Sequence, residues 1–99
     1  MDILNSLYDF FPTAVHTGSC LVLVSDEWKV ELWEQKKRPM ESPDNEKVFI
    51  RVKIFKKALS GQWLADQYVD FEFESVNTLA DQIDRYVQFS IGKNYRENP

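Results

Sequence analysis

Four stretches of the chain carry the hydrophobic patterns of β-strands. They cover residues 19–24, 28–35, 47–57 and about 62–74. The first is a continuous apolar run rich in β-branched side chains, which favours a strand covered on both faces. The other three alternate between apolar and polar positions, the pattern of strands with one buried face. Short connections at residues 25–27 and 59–61 predict hairpins, since Gly61 can adopt the positive φ of a tight turn.

Two further segments have the spacing of amphipathic helices. An apolar stripe over residues 2–11 ends at Pro12, which cannot continue a helix. A longer stripe runs from Val76 to Ile91, with Ser75 or Asn77 as candidate N-cap and Gly92 as C-cap. Both stripes need an apolar sheet face to pack on. The sequence therefore predicts a two-layer α+β fold, a four-stranded antiparallel meander with a short N-terminal and a longer C-terminal amphipathic helix.

The length of 99 residues predicts a single domain over residues 1–99. Residues 36–46 are polar and contain two prolines, so they predict a mobile loop, and the tail over residues 95–99 is also expected to be mobile. The cluster Lys36-Lys37-Arg38 in this loop is interpreted as a solvated turn.

The composition excludes several classes of protein. A hydrophobic fraction of 43% supports a folded core, while a net charge of −4 disfavours a general DNA-coating or membrane-surface protein. The single cysteine, Cys20, cannot form an internal disulfide, and no apolar run approaches the ~18 residues of a membrane-spanning helix. We expect a cytoplasmic protein that is not associated with membranes.

No motif in the sequence indicates catalysis or metal binding. The three glycines are isolated, and no cysteine or histidine pair has the spacing of metal ligands. His16 and Cys20 lie four residues apart, but we interpret them as a loop histidine and a small core hydrophobe. The carboxylates of Asp66 and Asp70 are interpreted as ion-paired surface rather than an acid–base pair. We predict no catalytic residues, no metal site, no cofactor and no enzymatic activity.

Positive charge is concentrated on the third predicted strand. Residues 47–57 contain five basic residues and no acidic ones. On the face of this strand that points away from the core, cations alternate with aromatic side chains, and the neighbouring strands add Trp33 and Tyr68. The candidate binding residues are Trp33, Phe49, Arg51, Lys53, Phe55 and Tyr68. Trp, Tyr and Arg are common hot spots of protein interfaces, and aromatics flanked by cations can also stack on unpaired bases.

The register of the last hairpin decides how far this charge is neutralised. One register places Lys53 opposite Asp66 and Arg51 opposite Tyr68, and the other places Lys53 opposite Tyr68 and Arg51 opposite Asp70. In either case a basic row lies against an acidic one, which favours ion pairing across the strands. The last strand is predicted to turn Trp63, Ala65, Val69, Phe71 and Phe73 toward the core, and Gln67, which interrupts this face, indicates a bulge or a position near the sheet edge.

Three interpretations of the outward aromatics remain open: a core covered by the N-terminal helix, a protein interface, or a nucleic-acid platform. We predict a small acidic protein that acts by binding another protein, as an adaptor, assembly factor or inhibitor. A phage- or plasmid-encoded inhibitor fits as well as a host accessory subunit. The alternative is binding of single-stranded nucleic acid through the outward aromatic and basic sheet face, in a layout that resembles those of Whirly-type and PUR-type domains. The oligomeric state stays open.

Overall fold

A computed structural model of the protein describes residues 2–38 and 46–96 and has an α+β architecture. Its elements are α1 (Ile3–Tyr8), β1 (Val15–His16), β2 (Cys20–Val24), β3 (Trp28–Lys37), β4 (Lys47–Lys57), β5 (Trp63–Glu72) and α2 (Val76–Ile91). The strands form one antiparallel sheet in the sequential order β1-β2-β3-β4-β5. The predicted meander is therefore correct, but it has five strands rather than four.

The additional strand, β1, is too short to leave a pattern in the sequence. Val15 pairs with Val22 and His16 with Leu21. The backbone amide of Thr17 donates to the carbonyl oxygen of Cys20 at 2.9 Å and closes the turn. Because only two residues pair, the period-two alternation that identifies longer strands cannot develop.

Both helices pack on the same face of the sheet, which we call the inner face. α1 contributes Ile3, Leu4 and Leu7 to the core, which continues through the inward side chains of β2, β3 and β4 to α2. The core residues of α2 are Leu79, Ala80, Ile83 and Val87. α1 ends at Tyr8, earlier than the predicted residue 11, although Phe11 is still buried in the turn that follows.

The boundaries of α2 follow from its caps. The side-chain oxygen of Ser75 accepts a hydrogen bond from the backbone amide of Thr78, which selects Ser75 over Asn77 as the N-cap. Gly92 ends the helix at a φ of +67°, a left-handed conformation that side chains with a Cβ rarely adopt. In the described part of the chain, neither helix is long and apolar enough to cross a membrane.

A β-bulge near Asp66 changes which side chains of β5 face the core. From Glu72 to Gln67 the pairing with β4 places Asp70 opposite Arg51 and Tyr68 opposite Lys53, the second of the two predicted registers. Beyond the bulge, Ala65 pairs with Phe55 and Trp63 pairs with Lys57. The prediction that Trp63 and Ala65 face the core is therefore wrong, because one extra residue reverses the alternation.

The two segments predicted to be mobile fall partly outside the described residues. β3 continues through Lys36 and Lys37 into the predicted loop over 36–46, and residues 39–45 of that loop are not described. In the tail, the Tyr95 hydroxyl lies 2.9 Å from Ser25 Oγ and Arg96 forms an ion pair with Asp81. Residues 97–99 are also outside the described part.

Candidate functional site

The sheet face opposite the two helices, which we call the outward face, carries all the predicted binding residues. They are Trp33 on β3, Phe49, Arg51, Lys53 and Phe55 on β4, and Tyr68 on β5. None of their aromatic rings belongs to the hydrophobic core or packs against it. Since α1 contributes to the core on the inner face, it does not cover these rings. Within residues 2–38 and 46–96, neither helix covers the outward face, on which Tyr68 is exposed and Trp33, Phe49 and Phe55 are half-buried among their neighbours.

Strand register brings the candidate residues into one continuous patch. Trp33 is the direct partner of Arg51, and Lys53 lies between Glu31 on β3 and Tyr68 on β5. Because directly opposed side chains on a sheet have Cβ atoms only about 5 Å apart, these residues contact one another across three strands. The predicted cluster of aromatic and basic side chains is therefore assembled by the sheet.

Each aromatic ring of the patch is paired with a cation. Arg51 lies 4.5 Å from the ring centroid of Tyr68, and Lys53 Nζ lies 5.1 Å from that of Trp33. The remaining pairs, measured in the same way, are Lys29 with Phe55 at 4.6 Å, Lys29 with Trp63 at 5.6 Å, Lys37 with Phe49 at 4.7 Å and Lys57 with Trp63 at 5.8 Å. These distances fall in the range of cation–π attraction. The cations lie along the rings instead of extending freely into solvent.

Asp70 is the acidic anchor of the patch. Arg51 donates to both of its carboxylate oxygens, from Nε at 2.8 Å and from Nη2 at 3.0 Å, and Lys37 Nζ lies 2.6 Å from Oδ2. The hydrogen bonds from Arg51, supported by Lys37, lower the pKa of Asp70 from 3.8 to about 2 and outweigh the opposing effect of burial. Asp70 also raises the pKa of Arg51 through the same hydrogen bonds. Asp70 therefore stays ionised at neutral pH and is held by cations from two neighbouring strands.

The acidic neighbours neutralise the patch less completely than the sequence indicated. Lys47 pairs with Glu72 at 3.4 Å and Lys29 with Glu31 at 3.3 Å, as expected for surface ion pairs. Lys53, by contrast, has no ion pair within the described residues. Asp66 sits at the bulge, outside the row that opposes β4. Among the paired outward positions of β3, β4 and β5 there are six cations, Lys29, Lys37, Lys47, Arg51, Lys53 and Lys57, and three acids, Glu31, Asp70 and Glu72. The unpaired Asp66 adds a fourth acid beside Lys53 and Tyr68, with which it lines one pocket.

Sequence reasoning missed two members of this face. Trp63 is brought to it by the bulge, and its ring lies beside Lys29 and Lys57. Cys20 is directly opposite Trp33 and so lies on the outward side of β2, and it is buried there rather than within the main core. The signal that could have placed Trp63 was Gln67, the polar interruption of an otherwise apolar face. For Cys20 no local signal existed, because β2 is apolar throughout.

The structure does not bring His16 and Cys20 together. His16 is exposed on β1 and pairs with Leu21, whereas Cys20 lies on the opposite side of β2 with its Sγ 3.2 Å from Thr17 Oγ1. The imidazole and the thiol are therefore held on different faces of the sheet. Across residues 2–38 and 46–96, no group of three or more His, Cys, Asp or Glu side chains is placed to hold a metal ion.

Comparisons with known proteins add no relative. No protein-family model, no curated protein and no solved structure matches the chain. The function has to be argued from the outward face itself.

Proposed function

We propose that this protein is a small non-catalytic binding module whose outward face docks on another protein, as an adaptor, assembly factor or inhibitor. The observation that carries the proposal is an uncovered sheet face on which the rings of Trp33, Phe49, Phe55, Trp63 and Tyr68 lie together. Clustered aromatics with an arginine at their centre are typical of interface hot spots. A surface of this kind gains free energy when a partner removes it from water.

The cation–π pairs prepare this face for docking. Lys and Arg side chains lose roughly 1–2 kcal/mol of conformational entropy when they are immobilised. Here Arg51 is held over Tyr68 and between the oxygens of Asp70 before any partner arrives. Part of the ordering cost is thus met when the protein folds. The cations that remain without an acid, Lys53 foremost, favour a partner with acidic side chains.

A protein partner fits this chemistry better than a nucleic acid does. Bases stack on open ring faces, whereas each ring here already has a cation beside it. The carboxylates of Glu31, Asp70 and Glu72 lie on the same face and repel a phosphate backbone. The excess of cations on the face is the specific observation that keeps single-stranded nucleic acid as the second candidate.

The test is a charge reversal on the outward face with a matched control on the inner side. Lys53→Glu removes the cation beside Trp33, and Lys56→Glu removes a cation of the same strand that lies 5.7 Å from Trp28 on the other side. Affinity capture from a nuclease-treated native lysate, with partners identified by mass spectrometry, should recover a specific protein. We expect Lys53→Glu to reduce its recovery about tenfold and Lys56→Glu to leave it unchanged.

Two outcomes would contradict the proposal. If both variants capture the partner equally well while remaining folded by circular dichroism, the outward face is not the docking surface. If nuclease treatment abolishes capture, and if Lys53→Glu but not Lys56→Glu abolishes capture from the untreated lysate, the face binds nucleic acid.

A further inference from the structure

A groove of about 470 Å³ lies between β5 and α2, on the other side of the sheet from the outward face. It is lined by Phe71 of β5 and by Gln82, Arg85, Tyr86 and Phe89 of α2. The Phe89 side chain is 94% exposed although it is a large apolar group. Phe71 and Tyr86 form an edge-to-face pair with ring centroids 6.0 Å apart. The groove thus has an apolar wall that the fold leaves open to solvent.

The strand that forms one side of this groove has a free edge. β5 is the last strand in the sheet order, so its outer edge has no partner strand within the described residues. The backbone amide of Phe73 donates to the carbonyl of Val48 at 2.8 Å, which sets the alternation of the ladder. Residues 69, 71 and 73 therefore bond to β4, and the N–H and C=O groups of Tyr68, Asp70 and Glu72 point to the open edge.

Two polar groups in the groove lack partners among the described residues. Gln82 Oε1 is buried and accepts no hydrogen bond. Arg85 lines the groove, and residues 2–38 and 46–96 provide it with no ion pair. A buried acceptor without a donor is costly unless a ligand satisfies it, whereas the exposed guanidinium of Arg85 is hydrated and free to pair with an incoming anion. A ligand could donate an N–H group to Gln82 Oε1 and place a carboxylate beside Arg85.

We propose that the β5 edge and this groove together bind an extended peptide segment, which pairs with β5 as a sixth strand. Its backbone would bond to the free groups of Tyr68, Asp70 and Glu72. Because side chains alternate along a strand, every second one would lie above the groove. One of these is an apolar anchor against Phe71 and Phe89, and the next is an Asp or Glu side chain beside Arg85. The inference does not depend on what docks on the outward face.

Charge favours a foreign peptide over a second copy of this chain. If a second β5 paired with this edge, its groove-side residues would be Gln67, Val69 and Phe71, none of which carries a carboxylate. Its acids Asp70 and Glu72 lie on the outward face and already pair with cations. A peptide with a carboxylate on the groove side instead meets Arg85.

The test uses displayed random peptides of about ten residues, the length of a long strand. Peptides enriched on the immobilised full-length protein should carry alternating apolar residues with a carboxylate. Two series of a selected peptide are N-methylated on the backbone, one at its odd-numbered and one at its even-numbered residues. One series should lose binding and the other should keep it, because only alternate N–H groups of an added strand face β5. In ¹⁵N spectra, the amides of Tyr68, Asp70 and Glu72 should become protected from exchange when a selected peptide binds.

Matched variants locate the site. Arg85→Glu should weaken the selected peptides about tenfold, whereas Lys93→Glu, the same charge change at an exposed position beyond α2, should not. Phe89→Ala should weaken binding by a similar factor, and Leu59→Ala, an equally exposed apolar residue elsewhere, should not. The proposal is overturned if no peptide is enriched, or if enriched peptides bind the Arg85 and Phe89 variants normally. If the amides of the β5 edge are already protected without peptide and the protein sediments as a dimer, the edge pairs with a second copy of this chain. That result would also overturn the peptide proposal.

Discussion

At the scale of single residues, the outward face is organised around one carboxylate. Asp70 receives a bidentate hydrogen bond from Arg51 and a further contact from Lys37, so it ties β3, β4 and β5 together. Charge-assisted pairs of this geometry are stronger than ordinary surface ion pairs. Glu72, two residues away on the same face, forms an ion pair with Lys47 and is half exposed. The two acids therefore form a natural pair of test and control.

Asp70→Asn should lower the free energy of unfolding by about 1–2 kcal/mol, and Glu72→Gln by less than about 0.5 kcal/mol. Urea titrations at pH 7 measure both. Because folding lowers the pKa of Asp70 from 3.8 to about 2, its contribution is complete above about pH 4 and is lost as the pH falls toward 2. The stability difference between wild type and Asp70→Asn should therefore shrink over that interval. A difference that persists unchanged at pH 2 would contradict this account.

Cys20 is expected to be a structural residue. The residue is 4% exposed, and its sulfur lies 3.2 Å from the Thr17 hydroxyl. A serine at this position could keep that hydrogen bond, so Cys20→Ser should cost about 1 kcal/mol, the low end of the range for a buried polar substitution. Thiol labelling of the native protein should be slow and should accelerate in urea. Rapid labelling without denaturant would show that the thiol is accessible.

At the scale of secondary-structure elements, α2 and the bulge in β5 have separate roles. α2 covers the inner face with a stripe of fully buried side chains, among them Leu79 and Ile83. Val69 and Phe71, which follow the bulge, keep their side chains on the inner face. Before the bulge the alternation is reversed, so that Trp63 lies on the outward face. The helix thus supplies stability, while the bulge enlarges the candidate binding surface.

A fragment that ends at Phe73 should be unfolded by circular dichroism, because it lacks the helix that closes the core. Ile83→Ala in the full chain should cost about 2–5 kcal/mol, the usual range for emptying a fully buried aliphatic site. Phe89→Ala removes a larger side chain from an exposed position of the same helix and should cost less than about 0.5 kcal/mol. A soluble fragment with a cooperative unfolding transition would show that the core does not require α2.

At the scale of the whole molecule, charge is distributed unevenly between the two faces. The chain has a net charge of −4, yet the paired outward positions of β3, β4 and β5 hold six cations and three acids, to which Asp66 at the bulge adds a fourth acid. The rest of the surface is correspondingly more acidic. A long polyanion that touches this face would also meet the acidic remainder, whereas a compact acidic protein surface could contact the cations alone.

A fluorescent single-stranded oligonucleotide should therefore show no measurable binding at physiological salt, by anisotropy or by quenching of Trp33. Replacement of Arg51 and Lys53 by alanine should mainly affect stability, since Arg51 is part of the Asp70 cluster. Micromolar binding that weakens steeply with salt and disappears in this double variant, with the fold intact, would favour nucleic acid as the partner.

The sequence alone determined the elements with long, regular periods. The alternation over residues 47–57 assigned both faces of β4 correctly, and the stripe and caps of α2 located that helix within one residue. These features are local, because a strand or helix with one buried face repeats its own geometry in its sequence. The candidate residues on the outward face could be named for the same reason.

Only the tertiary structure decided what covers each face and how the strands align. The sequence was compatible with two registers, which place either Tyr68 or Asp70 opposite Arg51. The structure has the register with Asp70, in which Val69 and Phe71 pack against the core on the inner face. The bulge then placed Trp63 outward and Asp66 outside the acidic row, since one extra residue reverses a period of two. That both helices share the inner face is a property of long-range packing. No local pattern determines it, because an apolar stripe specifies burial but not the surface against which it is buried.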